Sequence, residues 1–208
     1  MSEQKIRILV VDDHPVLRDG VAAIVQNQAD MAVVGEARNG AEAVERFRAL
    51  RPDVTLMDLQ MPGMNGVDAI TAIRTEYPGA RIIVLTTYAG DVQAVRALKA
   101  GALGYLLKNS LRTELIDAIR DVHRGQRRVQ RDVADEIALH VVDEALTERE
   151  IAILRLVAIG KANKQIGAEL GLSEETIKGH LKNIFSKLDV ADRTHAVTLA
   201  ARRGIIEL

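Results

Sequence analysis

Five short runs of β-branched and other apolar residues recur through the first 125 residues, and this recurrence restricts the possible folds most. The runs cover residues 6–11, 32–37, 54–57, 81–85 and 104–107. The stretches between and after them, at 16–25, 41–50, 67–76, 92–100 and 111–122, carry apolar residues three and four positions apart, as amphipathic helices do. Solid apolar strands that alternate with such helices indicate a parallel sheet covered on both faces. The pattern predicts an α/β domain with a doubly wound five-stranded parallel sheet.

The strand pattern ends before residue 144, and the rest of the chain is predicted to form a second, smaller all-α domain. Thr147 and Glu150 have the spacing of a capping box, which opens a helix. Further helices are expected after Asn163, Ser173 and Asp192, because these residue types cap helix N-termini. The predicted division is a first domain at 1–125, a partly helical linker at 126–143 with apolar residues at 133, 137 and 141, and a helical domain at 144–208.

The composition excludes several classes of protein. The 208 residues include no Cys, so a disulfide scaffold, a thiolate zinc site and a Cys nucleophile are excluded. Aromatic residues make up 2% of the chain and Trp is absent, which argues against a stacking platform for single-stranded nucleic acid. No apolar run approaches ~18 residues, and the first ten residues lead into a strand, so a soluble cytoplasmic protein with no membrane partner is expected.

Polar residues follow the predicted strands at the edge where doubly wound sheets bind ligands. The first strand leads into Asp12 and Asp13, the third into Asp58, the fourth into Thr86 and the fifth into Lys108. Carboxylates so close together need a cation to stay ionised, and oxygen ligands without Cys favour Mg²⁺. With Mg²⁺ bound, one carboxylate can attack a phosphoryl group while Lys108 and the metal neutralise its oxygens. Thr86 offers a hydroxyl to the new phosphate.

Residues 5–124 resemble the receiver domain of two-component response regulators, which has a flavodoxin-like fold. The resemblance rests on D-D-H at 12–14, D-L-Q-M-P-G-M-N-G at 58–66, Thr86, and G-Y-L-L-K at 104–108. The roles that it implies are the phosphoacceptor Asp58, the phosphate-pairing Lys108, the switch residues Thr86 and Tyr105, and the Mg²⁺ ligands Asp12, Asp13, Asp58 and the main-chain carbonyl of Gln60. The aromatic ring is expected to move when the switch hydroxyl binds phosphate.

The chain departs from the usual receiver pattern near its site. Asn109 follows Lys108 where receivers commonly have Pro. A cis bond without Pro costs about 2.5–4 kcal/mol, so a cis peptide is not assumed there, and the geometry of the Lys108–Asn109 peptide stays open at the level of sequence. Thr87 replaces a small residue and is expected to narrow access to the phosphoacceptor. Gln60 and Tyr88 occupy positions that tune dephosphorylation in the family, and their bulk points to slow loss of phosphate.

Residues 163–188 have the pattern of a helix-turn-helix, in which a short Gly-containing turn joins two helices. On the second helix one face is apolar and is predicted to be buried, with Ile177, Leu181, Ile184 and Leu188. The opposite face carries Gly179, Lys182, Asn183 and Ser186, with Lys178 and Lys187 at its edges. Such a face suits a major groove, where lysines reach phosphates or guanines and Asn can read a base. Residues 144–208 hold ten basic and nine acidic side chains, so the arrangement of charges must create any DNA surface.

Residues 146–206 resemble the DNA-binding domain of the LuxR, FixJ and NarL type. The matching segments are L-T-E-R-E at 146–150, N-K-Q-I-G-A-E-L-G-L-S-E-E-T-I-K-G-H-L-K-N-I-F-S-K-L at 163–188, and a closing helix. The resemblance implies base contacts from Lys178, Gly179 and Lys182 and phosphate contacts from Lys187, Arg193 and Thr194. The family often has Val in place of Gly179, so a different base preference is expected at that position.

The two domains together predict a response regulator, which is a transcription factor and not a metabolic enzyme. A sensor histidine kinase is expected to phosphorylate Asp58, with Mg²⁺ required. The phosphate is expected to shift the receiver conformation and promote a homodimer that binds promoter DNA at half-sites about one turn apart. In the family the closing helix makes a dimer contact, although its apolar Val197, Leu199 and Ala200 are predicted to belong to the core.

Two other classes of function stay open at the level of sequence. An acidic Mg²⁺ site on an α/β sheet could belong to a phosphatase, but haloacid-type phosphatases need Asp-x-Asp, and Asp58-Leu59-Gln60 lacks the second Asp. The other class is a DNA-binding regulator controlled by a small ligand or by its own abundance. Such a protein would bind promoter DNA equally well with and without a phosphate analogue.

Overall fold

The computed structural model describes residues 5–87, 91–129, 131, 133–134 and 146–206. The chain divides into two compact units, and along the linker the division falls between positions 135 and 136. The boundaries predicted at 125 and 143 lie on either side of that point. Most of the predicted linker helix lies outside the described residues, as does Tyr88.

The first unit is built on a sheet in which every neighbouring pair of strands is parallel. Its strands are β1 (Ile6–Val11), β2 (Met31–Ala37), β3 (Val54–Asp58), β4 (Ile82–Thr86), β5 (Gly104–Leu107) and β6 (Arg128–Val129). They lie in the order β2-β1-β3-β4-β5-β6. Every residue of β3, β4 and β5 is buried, as expected for strands covered on both faces. The predicted doubly wound sheet is confirmed.

Helices α1 (Pro15–Gln26), α2 (Gly40–Leu50), α3 (Gly66–Glu76), α4 (Asp91–Lys99) and α5 (Leu111–His123) connect and follow the strands. A 3₁₀ turn at Lys108–Ser110 joins β5 to α5. The side chains of Asn39 and Asn65 accept hydrogen bonds from the first turns of α2 and α3, so these two helices begin where Asn caps them. No peptide bond among the described residues is cis, and the peptide between Lys108 and Asn109 is therefore trans.

The sixth strand is a difference from the sequence prediction, which ended the first domain at residue 125. Arg128 and Val129 pair with Gly104 and Tyr105, and the N–H of Arg128 donates to the carbonyl oxygen of Leu103 at 2.9 Å. Two residues are too few to show an alternating pattern, and they form a strand because the edge of β5 offers unpaired main-chain groups. The predicted linker therefore begins with a short strand.

The second unit contains four helices in its described residues: α6 (Glu148–Ala158), α7 (Asn163–Leu170), α8 (Glu174–Leu188) and α9 (Arg193–Arg202). The predicted capping box is present, since Thr147 accepts from the N–H of Glu150, whose carboxylate accepts from the N–H of Thr147. The four apolar residues predicted for the inner face of α8 are all buried in one core. Ala200 belongs to that core, and Val197 and Leu199 pack against it.

Within the described residues, no helix combines the length and the apolar character that a bilayer crossing requires.

Candidate functional site

Three strands bring charged side chains to one point at the carboxyl edge of the sheet. Asp12 follows β1, Asp58 is the last residue of β3, and Lys108 follows β5. The Lys108 Nζ lies 2.7 Å from Asp12 Oδ2 and 2.8 Å from Asp58 Oδ2. Both aspartates are almost completely buried, with 1% and 2% of their surfaces exposed. The predicted convergence of residues that are far apart in the chain is therefore present in the structure.

Asp13 and His14 complete an acidic cluster beside this contact. One ligand atom from each of Asp12, Asp13, His14 and Asp58 lies within 4.8 Å of the others. The Nδ1 atom of His14 is 3.1 Å from Asp12 Oδ1 and 2.8 Å from Asp13 Oδ1. No role was predicted for His14, although it directly follows the acidic pair in the D-D-H motif. In the structure its main-chain N–H also donates to Asp12 Oδ1 at 2.8 Å.

Burial and charge act in opposite directions on the central pair. Burial raises the pKa of Asp58, and the Lys108 ammonium only partly offsets this effect, with Asp12 adding repulsion. Burial alone would lower the pKa of Lys108, but hydrogen bonds to Asp12 and Asp58 outweigh it and raise that pKa. The lysine therefore stays charged, while the phosphoacceptor candidate is held in a site that penalises its ionised form.

The donor atoms of the cluster fit a hard divalent cation. Carboxylate oxygens are the ligands that Mg²⁺ prefers, and it commonly keeps water as well. One oxygen, Asp13 Oδ1, is shielded from solvent yet accepts no hydrogen bond of good geometry among the described residues. Asp13 is 31% exposed as a side chain, so the cluster is open on this side. A cation bound there would satisfy the shielded oxygen and offset the mutual repulsion of the carboxylates.

The loop after β3 runs close to Asp58. This proximity accounts for the Gly at position 66 and places Gln60 beside the site. A side chain on Gly66 would place its Cβ 2.0 Å from the Asp58 carbonyl oxygen, so only Gly allows α3 to start here. The Gly66 N–H donates to the Leu59 carbonyl at 3.0 Å. The N–H of Gln60 donates to Asp58 Oδ1 at 3.3 Å, which places Gln60 beside the site. The predicted metal contact of its carbonyl stays a prediction.

Thr86 and Tyr105 lie next to the cluster on β4 and β5. Thr86 is 1% exposed and Tyr105 is completely buried. Their hydroxyl groups form a hydrogen bond, and burial raises the pKa of Tyr105 far above its ordinary value, so the phenol remains protonated. The ring occupies an interior position beside the switch hydroxyl, and its movement on phosphorylation stays a prediction.

Arg18 is a further charged residue at the site that sequence analysis missed. It is 8% exposed, and its Nη1 donates to the Asp12 carbonyl oxygen at 2.8 Å. Its Nε donates to Glu36 Oε2, also at 2.8 Å. The signal that could have revealed it is its place on α1, where Arg18, Val21 and Val25 form the buried stripe. A charge at an apolar position of a helix needs a buried partner.

In the second unit, α8 presents a polar face opposite its buried stripe. Lys178, Gly179, Lys182 and Asn183 are all exposed. The carboxylates of Glu174 and Glu175 lie 3.5 Å from Lys178 Nζ. The negative charge of Glu175, and next that of Glu174, raises the pKa of this lysine. A shallow groove of about 390 Å³ runs beside the face and is lined by Asn163, Lys178, Leu181, Lys182, Phe185, Val190 and Ala191.

Gly179 has open space where a side chain would point, because a Cβ at this position would meet no atom of the surrounding structure within 4 Å. Packing inside the domain therefore does not require Gly at this exposed position of α8. Gly in a helix interior costs about 1 kcal/mol relative to Ala. The predicted contact of Gly179 with DNA stays a prediction.

The three residues predicted to contact phosphates differ in their surroundings. Lys187 is 18% exposed as a side chain, and its Nζ lies 3.0 Å from the buried Glu150. Burial would raise the pKa of Glu150, but hydrogen bonds from Thr147 and Lys187 hold it below its usual value. Arg193 is exposed and donates to the Lys161 carbonyl at 3.0 Å. Thr194 is exposed in the first turn of α9, where its N–H donates to Asp192.

Buried aspartates paired with a lysine on a parallel α/β sheet, followed by a helix-turn-helix, are typical of the class of DNA-binding response regulators. Residues 8–120 match the response regulator receiver domain, and residues 144–200 match the luxR family of bacterial regulatory proteins. The chain belongs to this family: it is a two-component response regulator of the NarL/LuxR type, and its function is transcriptional regulation.

Relatives match along almost the whole chain. The transcriptional regulatory protein LiaR of Bacillus subtilis (strain 168) is 43% identical over 209 residues, covering 97% of this chain and 99% of the relative. The response regulator protein VraR of Staphylococcus aureus is 38% identical over 207 residues, with the same coverage. Among solved structures, a complex of the two-component response regulator RcsB with DNA has a TM-score of 0.71 at 25% identity, covering 96% of this chain and 99% of that one.

The raised pKa of Asp58 predicts that its ionised carboxylate lowers the stability of the receiver, and that a neutral residue at this position removes the loss. Because the folded pKa lies above the ordinary value of 3.8, ionised Asp58 destabilises the metal-free receiver at pH 7. Asp58→Asn should raise the midpoint of thermal unfolding of the receiver at pH 7 without Mg²⁺. The gain should shrink as the pH falls towards 3.8, where the carboxyl group of Asp58 becomes protonated in both states.

Circular dichroism melts of the full chain at several pH values measure this effect. Asp19→Asn is the matched control, because Asp19 is exposed on α1 and should change the midpoint little at any pH. A lower midpoint for Asp58→Asn than for the unchanged chain at pH 7 would contradict the assigned direction.

The open surroundings of Gly179 predict opposite effects of an added methyl group on stability and binding. Gly179→Ala should stabilise the second unit by about 1 kcal/mol through helix propensity. It should also weaken binding to a DNA fragment selected by the unchanged protein from random sequence, because the added methyl group occupies the space at the contact. Urea unfolding and mobility-shift titration measure the two quantities, and unchanged DNA affinity would remove Gly179 from the interface.

Proposed function

We propose that the protein is a phosphorylation-controlled transcription factor, in which Asp58 accepts a phosphoryl group from a sensor histidine kinase. The observation that carries the proposal is the Lys108 Nζ between Asp12 and Asp58, at 2.7 and 2.8 Å from their carboxylates. This contact brings a nucleophile and a fixed cation together, as phosphoryl transfer requires. The receiver thereby supplies the catalytic groups for its own phosphorylation and dephosphorylation.

In the proposed reaction an Asp58 oxygen attacks phosphorus, the bond between phosphorus and the kinase histidine nitrogen breaks, and an aspartyl phosphate forms. Lys108 stabilises the phosphoryl oxygens by charge, and the Gln60 N–H helps to orient the Asp58 carboxylate. Asp12, Asp13, Asp58 and the Gln60 carbonyl would hold Mg²⁺. When bound, Mg²⁺ supplies further positive charge to the transferring oxygens.

The Thr86–Tyr105 hydrogen bond offers a route from the phosphate into the fold. A hydroxyl group has one donor and two acceptor sites, so Thr86 can donate to the phosphate while it accepts from Tyr105. The protonated phenol of Tyr105 keeps its donor because burial raises its pKa. The phosphate thereby biases the position of Thr86, and Tyr105 carries the change along β5.

The phosphorylated receiver is proposed to favour a homodimer that binds promoter DNA in the cytoplasm. One solved neighbour, at 25% identity and a TM-score of 0.72, shows two RcsB dimers bound to two parallel DNAs. Two recognition helices then reach half-sites about one DNA turn apart. The receiver at 1–125, the linker at 126–143 and the DNA-binding domain at 144–208 are the proposed functional units.

The proposed DNA-binding residues divide into two groups by their exposure. Lys178, Gly179, Lys182 and Asn183 lie on the open face of α8 and are proposed to contact bases. Arg193 and Thr194 at the start of α9, with the partly exposed Lys187, are proposed to lie near phosphates. The Lys187–Glu150 pair also connects α8 to α6, so Lys187 holds the recognition helix in place.

Phosphorylation of Asp58 is tested with acetyl phosphate or a phosphorylated kinase domain. Asp58→Asn should abolish uptake of acid-labile phosphate, because the amide is not a nucleophile at this position. Asp19→Asn should be phosphorylated like the unchanged chain, since this residue is exposed on α1. Retained labelling in Asp58→Asn would defeat the assignment, and multiple turnover of a small phosphoester by that variant would favour a phosphatase.

Specific DNA binding is tested at Lys182. Lys182→Ala should weaken binding to a selected DNA site by about 1–3 kcal/mol without unfolding the domain, because it removes an exposed contact to the major groove. Lys99→Ala removes an exposed lysine from α4 of the receiver and should leave binding nearly unchanged. Mobility shifts at several salt concentrations measure both, and equal affinity of Lys182→Ala and the unchanged chain would exclude the base contact.

The same mobility-shift assay distinguishes control of DNA binding by phosphate from control by a small ligand or by the abundance of the protein. Beryllofluoride with Mg²⁺ should occupy the phosphate site and promote the proposed homodimer. DNA affinity and the mass measured in solution should therefore both increase. Equal affinity with and without the analogue would favour the alternative of a regulator that ignores phosphate.

A further inference from the structure

Arg18 fixes a peptide plane that joins two residues of the acidic cluster. Its guanidinium donates to the Asp12 carbonyl oxygen at 2.8 Å, and this hydrogen bond is buried. A peptide unit is planar, so the carbonyl of Asp12 and the N–H of Asp13 turn together. The orientation of this peptide plane therefore sets the direction in which the Asp13 side chain projects from the main chain.

The main-chain N–H of Asp12 is hydrogen-bonded as well. It donates to the Ala37 carbonyl of β2 at 3.1 Å, so both main-chain polar groups of Asp12 have partners. The Asp12 side chain is fixed in turn by the His14 N–H at 2.8 Å and by Lys108 at 2.7 Å. The Asp13 side chain is less enclosed: it is 31% exposed and lies near the His14 ring. The Arg18 bond to the preceding carbonyl thus restricts the direction of Asp13 through the main chain.

Glu36 holds the arginine in the position that this role requires. Arg18 Nε donates to Glu36 Oε2 at 2.8 Å, and Glu36 lies on β2, next to the residue that binds the Asp12 N–H. A guanidinium carries several donors in a rigid plane and can bond both groups at once, whereas an ammonium is a single point charge. The Asp12 carbonyl, α1 and β2 are thereby linked through one side chain.

We infer that Arg18 is a positioning residue for the metal site: by holding the Asp12–Asp13 peptide, it sets the direction of the Asp13 carboxylate towards a divalent cation. Arg18 is not among the residues proposed to hold the cation or to contact the phosphoryl group. This inference rests on the proposed function, because it assumes that Asp12 and Asp13 bind Mg²⁺. Partners that orient metal ligands typically change metal affinity about 10- to 100-fold when they are removed.

The test is the Mg²⁺ dissociation constant of the full chain, measured by isothermal titration calorimetry. Arg18→Met keeps an apolar stem on the buried stripe of α1 but loses both hydrogen bonds, and should weaken Mg²⁺ binding about 10- to 100-fold. Arg18→Lys should recover only part of this loss, because one ammonium replaces the two-donor plane. Glu36→Gln keeps an acceptor for Arg18 and should have a smaller effect than Arg18→Met.

Arg48→Met is the matched control. Arg48 Nε donates to Glu76 Oε2 at 2.7 Å, so this variant also removes an arginine–glutamate pair, on α2 and away from the cluster. A second readout distinguishes positioning from general destabilisation. Saturating Mg²⁺ should restore most of the phosphorylation rate of Arg18→Met with acetyl phosphate, because only the affinity for the metal is lowered. A loss of fold would not be restored in this way.

The outcomes separate this inference from the function on which it rests. An Mg²⁺ affinity of Arg18→Met within about twofold of the unchanged chain would overturn the role of Arg18 alone. Should Arg18→Met fail to fold, Arg18→Lys decides, and normal Mg²⁺ affinity in that variant overturns the role equally. Absence of Mg²⁺ binding by the unchanged chain would overturn the metal site itself together with this inference.

Discussion

The contact of one ammonium group with two buried carboxylates is the interaction on which the receiver depends. Asp12 and Asp58 lie at the ends of neighbouring strands, and without Lys108 between them their like charges would meet in a poorly solvated site. Removing Lys108 would leave both buried carboxylates without a cation, and unpaired buried charge is strongly destabilising. The parallel sheet makes this contact possible, since it aligns the carboxyl ends of β1, β3 and β5 along one edge.

This arrangement places reactivity and stability in opposition at a single residue. Burial raises the pKa of Asp58, and the same burial keeps water away from a carboxylate that must attack a phosphoryl group. A cation at the proposed site would relieve the repulsion that Lys108 alone does not remove, and would thereby stabilise the receiver relative to its metal-free form.

The sequence predicted the groups that obey a local rule and missed those that depend on tertiary contacts. Asp58 and Lys108 could be found because each stands at the end of an apolar run, and parallel strands share an edge. Arg18 was missed because helical periodicity identifies a buried position without naming the polar groups that it meets. The pairing of Lys187 with Glu150 joins residues 37 positions apart, so the periodicity of α8 could not reveal it. The strand at Arg128–Val129 is too short to carry a pattern.

The charge balance of the second unit agrees with the proposed control of DNA binding by pairing. Its ten basic and nine acidic residues give little overall attraction to DNA, and the charge of Lys187 is largely offset by Glu150 inside the domain. The residues proposed to contact bases lie on one exposed face of α8, which includes the adjacent Lys182 and Asn183. A single face of this size binds weakly, whereas two linked copies add their binding free energies at adjacent half-sites. A receiver that controlled pairing, as proposed, would therefore control occupancy of DNA without altering the recognition helix itself.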